Sequence, residues 1–286
     1  MTSAEIKQGL TEEFSGIKYI LTSGMRSRLL LAIYESPKNL EELRAELKKP
    51  SATILHGLKE LENINLVRKV QKSYELTSNG FLLTVNMIKL IDNWYSISKS
   101  KIFWNNHDLS GIPDELLKDI YLLKDAEYIH STTSDLSNAF NTYINLLSTS
   151  EELKIIMPIY SENHLKHLIK LLNRKRLVKL ELLVSEEIYD SIKENDLFNK
   201  KIIQNKKVQI KCVKEELKIF LTYCDEFVSL SLFFKDGHYD DSQILIAKDE
   251  NALKWAISID KIYKQKEEKY VKLQTGSSNY NEHLEH

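Results

Sequence analysis

Thr53, His56, Gly57 and Glu60 recur at i, i+3, i+4 and i+7 within SATILHGLKELEN, so a helix over this stretch carries them on one face. A hydroxyl, an imidazole and a residue without a side chain, set in a row, suit close approach to base edges in the major groove of DNA. Ile54, Leu58 and Leu61, with Leu55 beside them, make the packing face. Lys48, Lys49, Lys59, Arg68, Lys69 and Lys72 cluster around the helix, where the phosphates of a bound duplex would lie. The expected DNA contacts are therefore Lys49, Ser51, Thr53, Leu55, His56, Gly57, Lys59, Arg68, Lys69 and Lys72. Gly57 adds an argument of its own: a mid-helix glycine costs about 1 kcal/mol relative to alanine, which suggests a close approach of backbone and DNA. The alternative for Gly57 is simple tolerance on an exposed face, and on either reading Gly57→Ala should stabilise the free protein.

The flanking segments supply what such a helix needs. RSRLLLAIYE, residues 26–35, is helical by pattern and stops at Ser36-Pro37; Asn39 can then N-cap a second helix, LEELRAEL. The turn at Lys48-Lys49-Pro50 leads to Ser51, read as the N-cap of the third helix. Leu66 to Val70 reads as a strand, Gln71-Lys72-Ser73 as a turn and Tyr74 to Leu76 as the return strand. Three short helices and a hairpin describe a winged helix-turn-helix; the alternative for so small a helical unit is a protein-interaction module. Thr77 can cap a long helix over 78–100, which either dimerises or connects to the next domain.

Charge follows the same division. Residues 1–104 carry a net charge of +4 and the remainder −5, on a chain of 286 residues whose net charge is −1. The length suits about two domains, and 42 % hydrophobic with 28 % charged residues suits a globular chain. The longest apolar runs fall far short of the roughly 20 residues of a membrane helix, so a cytoplasmic protein with no membrane partner is expected.

After Gly111 and Pro113 break the pattern, strands and helices alternate. Strands are expected at 127–130, 153–157, 178–184 and 208–213, with helices at about 136–147, 161–174 and 186–194 between them. Strands at 219–223, 227–234 and 243–246 and a helix over 250–270 follow. The order predicts an α/β domain whose sheet begins parallel and ends antiparallel. Beyond the carboxyl ends of such strands lie His130, Ser131, Tyr160, Ser161, His164 and Ser185, the candidate ligand contacts.

Other chemistries find little footing. With eight glycines and no G-x-G-x-x-G or G-x4-G-K-[ST], a dinucleotide or P-loop site is not expected, and no G-x-S-x-G elbow appears. His164 and His167 have the i, i+3 spacing of a zinc pair but lack two further ligands, so they are read as surface histidines and no metal or other cofactor is expected. Cys212 and Cys224 form no C-x-x-C and read as buried thiols.

T-I-L-H-G-L-K-E-L-x3-N-L-V followed by Y-E-L-T-x2-G resembles the recognition helix and wing of arsenical-repressor-type regulators, with Asn65 where glycine is usual. Their metal-binding cysteine pair is missing from LEELRAEL. FWNNHDLSGIP, KIIMPIYSENH and the D-G-x-Y-D-x-S-x-x-L-I run at 236–246, followed by A-x-x-W, resemble the middle domain of archaeal methanogenesis and filamentation regulators of the FilR type. The likeness covers about residues 10–270. It implies a winged-helix head followed by a domain with a phospholipase-D-like fold; an acylated homoserine-lactone-type signal is associated with regulation by a member. Phosphodiesterases of that superfamily use H-x-K-x4-D, whereas here His164-Leu165-Lys166 is followed by Leu171 in place of Asp and no second H-x-K exists.

The sequence thus predicts an α/β multidomain protein: a winged helix-turn-helix over 1–85, a connecting or dimerising helix over 86–104 and an α/β ligand-sensing domain over 105–273. Residues 274–286, ending in Leu284-Glu285-His286 like the start of a Leu-Glu-polyhistidine tail, are expected to be a disordered end. The expected function is that of a homodimeric, non-enzymatic transcription regulator whose partners are a palindromic DNA operator and a small-molecule effector. The alternatives are a second domain that only mediates assembly, and a phospholipase-D-like phosphodiesterase.

Overall fold

Asn39 ends the short strand β1 (Lys38–Asn39) and opens helix α3 (Leu40–Leu47): its Oδ1 accepts from the Glu41 and Glu42 amides while the Glu42 carboxylate accepts from the Asn39 amide. That reciprocal box satisfies amides that the first helical turn leaves without partners. The computed structural model describes residues 14–278, with side chains through residue 265. The chain falls into two compact units that part between Ile91 and Asp92.

In the first unit, α1 (14–21) and α2 (Gly24–Glu35) precede β1 and α3. Lys48, in the left-handed region at φ 53°, ends α3 and turns the chain into α4 (Ser51–Asn63). Strands β2 (Val67–Val70) and β3 (Ser73–Leu76) pair antiparallel, and β1 joins β3 on its other side. Leu29, Leu30 and Ile33 of α2, Leu43 of α3, and Ile54, Leu58 and Leu61 of α4 close one core with Val67 and Tyr74 of the hairpin. Each such side chain, fully buried, contributes about 1.5–3 kcal/mol.

The junction of α4, wing and the next helix explains the resemblance motif in atoms. Asn65 stands at φ 58°, a conformation that favours glycine and that asparagine tolerates. The Thr77 amide donates to the Leu66 carbonyl and its hydroxyl to the Asn65 carbonyl; the same hydroxyl accepts from the Gly80 amide, capping α5 (Ser78–Lys99). A Cβ on Gly80 would stand 1.9 Å from the Leu66 oxygen, so only glycine fits.

The second unit continues through α6 (Lys101–Asn106), β4 (His107–Asp108), α7 (Asp114–Leu117) and a 3-10 turn at Ile120–Leu123. Then come β5 (Glu127–His130), α8 (Asn138–Leu147), β6 (Glu152–Ile156), α9 (Glu162–Leu172), β7 (Lys179–Ser185) and α10 (Glu186–Glu194). After α11 (Asp196–Phe198) and a π turn (Asn199–Ile203) follow β8 (Val208–Val213), β9 (Ile219–Tyr223), β10 (Val228–Phe234), β11 (Gln243–Ala247) and α12 (Glu250–Ser278). α12 extends beyond the expected end at 270 and into the stretch from 274 read as disordered; the rest of that stretch lies outside the described residues.

The strands form one sheet in the order β5-β11-β10-β9-β6-β7-β8, with β4 also on β10. β6, β7 and β8 run parallel and the remaining pairs antiparallel, as the element order predicts. Alternation along β9 sends Ile219 and Leu221 to a core with Phe103, Trp255 and Ile259, and Phe220 to the other face with Tyr143, Leu165 and Leu182.

Three polar links tie the beginning of this unit to its end. Trp255 Nε1 donates to the Leu116 carbonyl at 3.1 Å and the Tyr263 hydroxyl to the Gly111 carbonyl at 2.7 Å. His107, fully buried, sets Nδ1 2.6 Å from the Phe103 carbonyl and Nε2 3.0 Å from Asp240 Oδ2. Asp240 also accepts from the Ser242 amide and hydroxyl and from Gln243 Nε2. Burial raises its pKa, but the hydrogen bonds from His107 and Ser242 outweigh that and hold the carboxyl below its ordinary range. A carbonyl and a carboxylate thus flank the two nitrogens of the imidazole and join β4 to the segment that follows β10.

Candidate functional site

α4 presents two different surfaces. Ile54, Leu58 and Leu61 are buried, whereas Thr53, Leu55, His56 and Lys59 are exposed. Two positions correct the sequence reading. Gly57 belongs to the buried face: a Cβ there would stand 2.7 Å from Leu29 Cδ1 and 3.1 Å from Met25 Cγ, so its small size serves the packing of α4 on α2. Ser51 is the first helical residue and no N-cap; Pro50, at φ −58° and ψ 145°, takes the cap position without a side-chain hydrogen bond, and Ser51 is half-buried.

Glu60, on the same stripe, is engaged inward. Arg26 Nη1 contacts its carboxylate at 2.9 Å, the Tyr19 hydroxyl donates to it at 3.2 Å, and His56 Nε2 lies 3.7 Å away. Desolvation pushes the Glu60 pKa up, but the hydrogen bonds of Arg26 and Tyr19 carry it below the usual range. His56 thus stands on the outer surface beside a carboxylate that is already neutralised.

Cations frame this surface. Lys48 and Lys49 are exposed in the turn before α4, and Arg44 of α3 joins them around a shallow hollow that also includes Glu41, Ala45 and Pro50. Sequence reasoning missed Arg44, although its spacing of four from Lys48 on a helical pattern was the available signal. In the wing, Arg68 is paired across the strands with Glu75 at 2.6 Å, Lys69 lies over the Tyr74 ring at 5.6 Å, and Lys72 is exposed in the turn beside Gln71 at φ 55°. Lys69 and Lys72 have no carboxylate partner among the described residues, unlike Arg68.

The second unit holds a narrow cleft between α8, α9 and the antiparallel strands. Phe140 and Tyr143 of α8, His164 of α9, Phe220 of β9 and Tyr239 supply its rings. Ser229, Ser231 and Gln243 add polar groups and Asp241 lies at the exposed rim. The Tyr143 hydroxyl is bonded to Thr222 Oγ1 at 3.0 Å. Burial raises the pKa of Tyr143 and of Tyr239 far above the ordinary phenol value.

Of the six candidate ligand contacts, His164 alone lines this cleft. It is no surface residue: its ring lies 4.9 Å from Phe140 and 5.2 Å from Phe220, and its Nδ1 is 2.9 Å from Ser161 Oγ. Burial first and the nearby His167 second lower its pKa to about 4. Ser161 also caps α9 by accepting from the His164 amide, and Ser185 caps α10 by accepting from the Ile188 amide. Ser131 Oγ accepts from the Ala139 amide, His130 is exposed at the end of β5, and Tyr160 stands edge-on to Phe198. Lys166 points away from His164 to an ion pair with Glu162 at 2.7 Å, so the two side chains of H-x-K do not converge. His167 Nδ1 is bonded to the Asn163 carbonyl, and among the described residues no group of three His, Cys, Asp or Glu is placed to hold a metal. Neither cysteine forms a disulfide.

The fold is that of a winged-helix head followed by an α/β unit with an interior aromatic cleft. Residues 14–94 match the family model described as Methanogenesis regulatory protein FilR1, N-terminal domain, and residues 136–265 that of its middle domain; the chain belongs to this family. A curated relative, the Methanogenesis regulatory protein FilR1 of Methanothrix harundinacea (strain 6Ac), is 24% identical over 256 residues, which are 87% of this chain and 57% of the relative. The chain therefore spans little more than half the length of that relative. Among solved structures, TrmBL2, an archaeal chromatin protein with a novel mode of DNA binding, matches with a TM-score of 0.37 at 15% identity, covering 85% of this chain and 93% of that one. Quinone-bound YodB from B. subtilis matches with a TM-score of 0.27 at 19% identity, covering 28% and 91%. Scores so low carry no argument. No helix among the described residues is long and apolar enough to cross a membrane.

Proposed function

We propose that the protein is a DNA-binding transcription regulator that acts as a homodimer on a palindromic operator and responds to a small molecule held in its second unit. The observation that carries this reading is the outer surface of α4. Thr53, Leu55 and His56 stand exposed on a helix whose other side is fixed in a core, with Arg44, Lys48, Lys49 and Lys59 around them. One such helix reads only about 3–5 base pairs, so two heads acting together supply the specificity a regulator needs. α5 supports a dimer in having Leu82, Leu90, Ile91, Trp94 and Tyr95 exposed around much of its circumference. On this reading residues 1–85 are the head, 86–104 the connecting helix and 105–273 the sensor. The divergence of His164 and Lys166 speaks against the phosphodiesterase alternative. A second unit that only mediates assembly is the remaining competitor.

The test is selection of genomic fragments by the purified protein, with and without a metabolite extract. Enrichment of a two-fold symmetric sequence is expected, and its affinity should change with extract. Because coupling is reciprocal, operator DNA must shift the affinity of the effector by the same factor. Light scattering should report a dimer at micromolar concentration; a monomer both alone and on DNA would overturn the homodimer. Fragment recovery without any shared sequence would remove operator recognition.

A further inference from the structure

Two stretches of the second unit carry cations and no carboxylate. Residues 173–179, leading into β7, hold Arg174, Lys175, Arg176 and Lys179; residues 199–207, leading into β8, hold Lys200, Lys201, Lys206 and Lys207. They stand on a part of the chain, 105–286, whose net charge is −5. Because β7 and β8 are parallel neighbours, the two connections that enter them meet at the same end of the sheet. The Leu180 amide donates to the Lys207 carbonyl at 2.8 Å and fastens one to the other.

Lys207 is turned inward. Its ammonium donates to the carbonyls of Leu172, Arg174 and Leu177 at 3.3, 3.3 and 2.7 Å, and so occupies the acceptors after α9 that would otherwise draw in the loop's own cations. The other seven cations are exposed. Arg176 lies 3.9 Å from Glu226 with both side chains more than half in solvent, a pair of little strength, and among the described residues no carboxylate pairs with the remaining six. Glu152, opposite Lys179 in the β6–β7 register, bounds the patch on that side. Seven cations spread over two adjoining loops fit an extended polyanion better than a small anion.

We propose that this end of the sheet is a second DNA-contacting surface, which binds the phosphate backbone of a duplex without reading its sequence. The choice of partner rests on the DNA-binding reading above: a head bound to DNA presents the duplex to the tethered second unit at an effective concentration on the order of millimolar, where a few phosphate contacts suffice. Of the large apolar side chains in the two loops only Val178 is exposed, which gives a lipid interface little to hold.

The experiment is a salt titration of the full-length protein on a long duplex of random sequence, followed by fluorescence anisotropy. Arg174→Gln, Lys175→Gln and Arg176→Gln together should weaken binding about tenfold or more at physiological salt and lower the slope of log affinity against log salt by about two to three. Arg174→Lys with Arg176→Lys keeps the charge and should keep the slope. All these side chains are exposed, so thermal melts by circular dichroism should match the wild type. An unchanged slope in the folded glutamine variant would overturn the proposal, and so would an equal loss in the lysine variant, which would trace the effect to shape and not charge. Phosphatidylserine vesicles that hold the wild type but not the glutamine variant, with DNA binding unchanged, would assign the surface to a membrane instead. If Lys69→Ala leaves binding untouched while the glutamine variant weakens it, this surface stands and the wing contact falls; the reverse keeps the head and removes this surface.

Discussion

α4 and α9 are helices of thirteen and eleven residues, both amphipathic, and each places a histidine within its first two turns. The His56 side chain keeps 76% of its surface in solvent, beside a carboxylate held by Arg26. His164 lies against three aromatic rings, with its imidazole pulled to a pKa of about 4. The difference comes from what covers the helix. α4 packs on α2 and α3 and leaves its far side open, whereas α8 closes over α9 from the side its pattern leaves polar. The same residue type is therefore available for recognition in one unit and part of an interior wall in the other.

The sharpest separation of the two units comes from their polar interiors. Asp240→Ala leaves His107 buried without its carboxylate and should destabilise the second unit by about 3–5 kcal/mol in denaturant unfolding, while the head keeps its own transition. Because the folded pKa of Asp240 is depressed, the stability it contributes is present above its ordinary value of 3.8 and lost as pH falls through the folded one. A variant that unfolds at the wild-type midpoint would show that the pair is not coupled to folding.

His164 acts in another pH window. Its folded pKa of about 4 lies below the ordinary 6.5, so the unfolded chain binds the extra proton first, and stability falls as pH drops from about 6.5 to about 4. The loss should be about 2–3 kcal/mol, and His164→Gln should flatten it. His56→Ala, by contrast, should leave that profile untouched. A wild-type profile already flat across the window would erase the contrast between the two histidines.

On DNA the roles reverse. His56→Ala should change operator preference by about 1–3 kcal/mol and leave the stability of the free protein within about 0.5 kcal/mol, whereas Lys69→Ala should weaken all sequences alike and lower the salt slope by about one charge. Unchanged preference in a folded His56→Ala protein would mean that α4 is not the reading helix.

The smallest effect is also the most direct test of how α4 is seated. Gly57→Ala gains helix propensity but drives a methyl against Leu29 and Met25, and a net loss of about 1 kcal/mol is expected in thermal unfolding. A gain in stability would return Gly57 to the open face.

Much of the head was legible because its signals are local. The Asn39 cap, the stop at Ser36-Pro37 and the Gln71-Lys72 turn each depend on residues a few positions apart. Gly57 was misread because it follows Thr53 by four and Ile54 by three, and only the placement of α2 decides which neighbour it joins. Ser51 was misread because Pro50 offered no side chain to rival it as a cap. The alternating order of the second unit was legible too, and with it the switch from parallel to antiparallel pairing. Its cleft was not: Phe140, Phe220 and Tyr239 come from three distant segments, and nothing local distinguishes them from other core aromatics.

The links from Phe103 and His107 to Asp240, from Leu116 to Trp255 and from Gly111 to Tyr263 have a consequence for the time at which the protein takes shape. During synthesis the head has all its partners once its hairpin and the start of α5 have emerged. Core residues near position 110 must wait for those beyond 250, a delay of roughly ten to thirty seconds at ordinary elongation rates. For that interval Phe103, Trp104 and Ile112 lie uncovered on a growing chain whose head is already able to hold its form, which makes the first third of the second unit the natural place for chaperone attachment during translation.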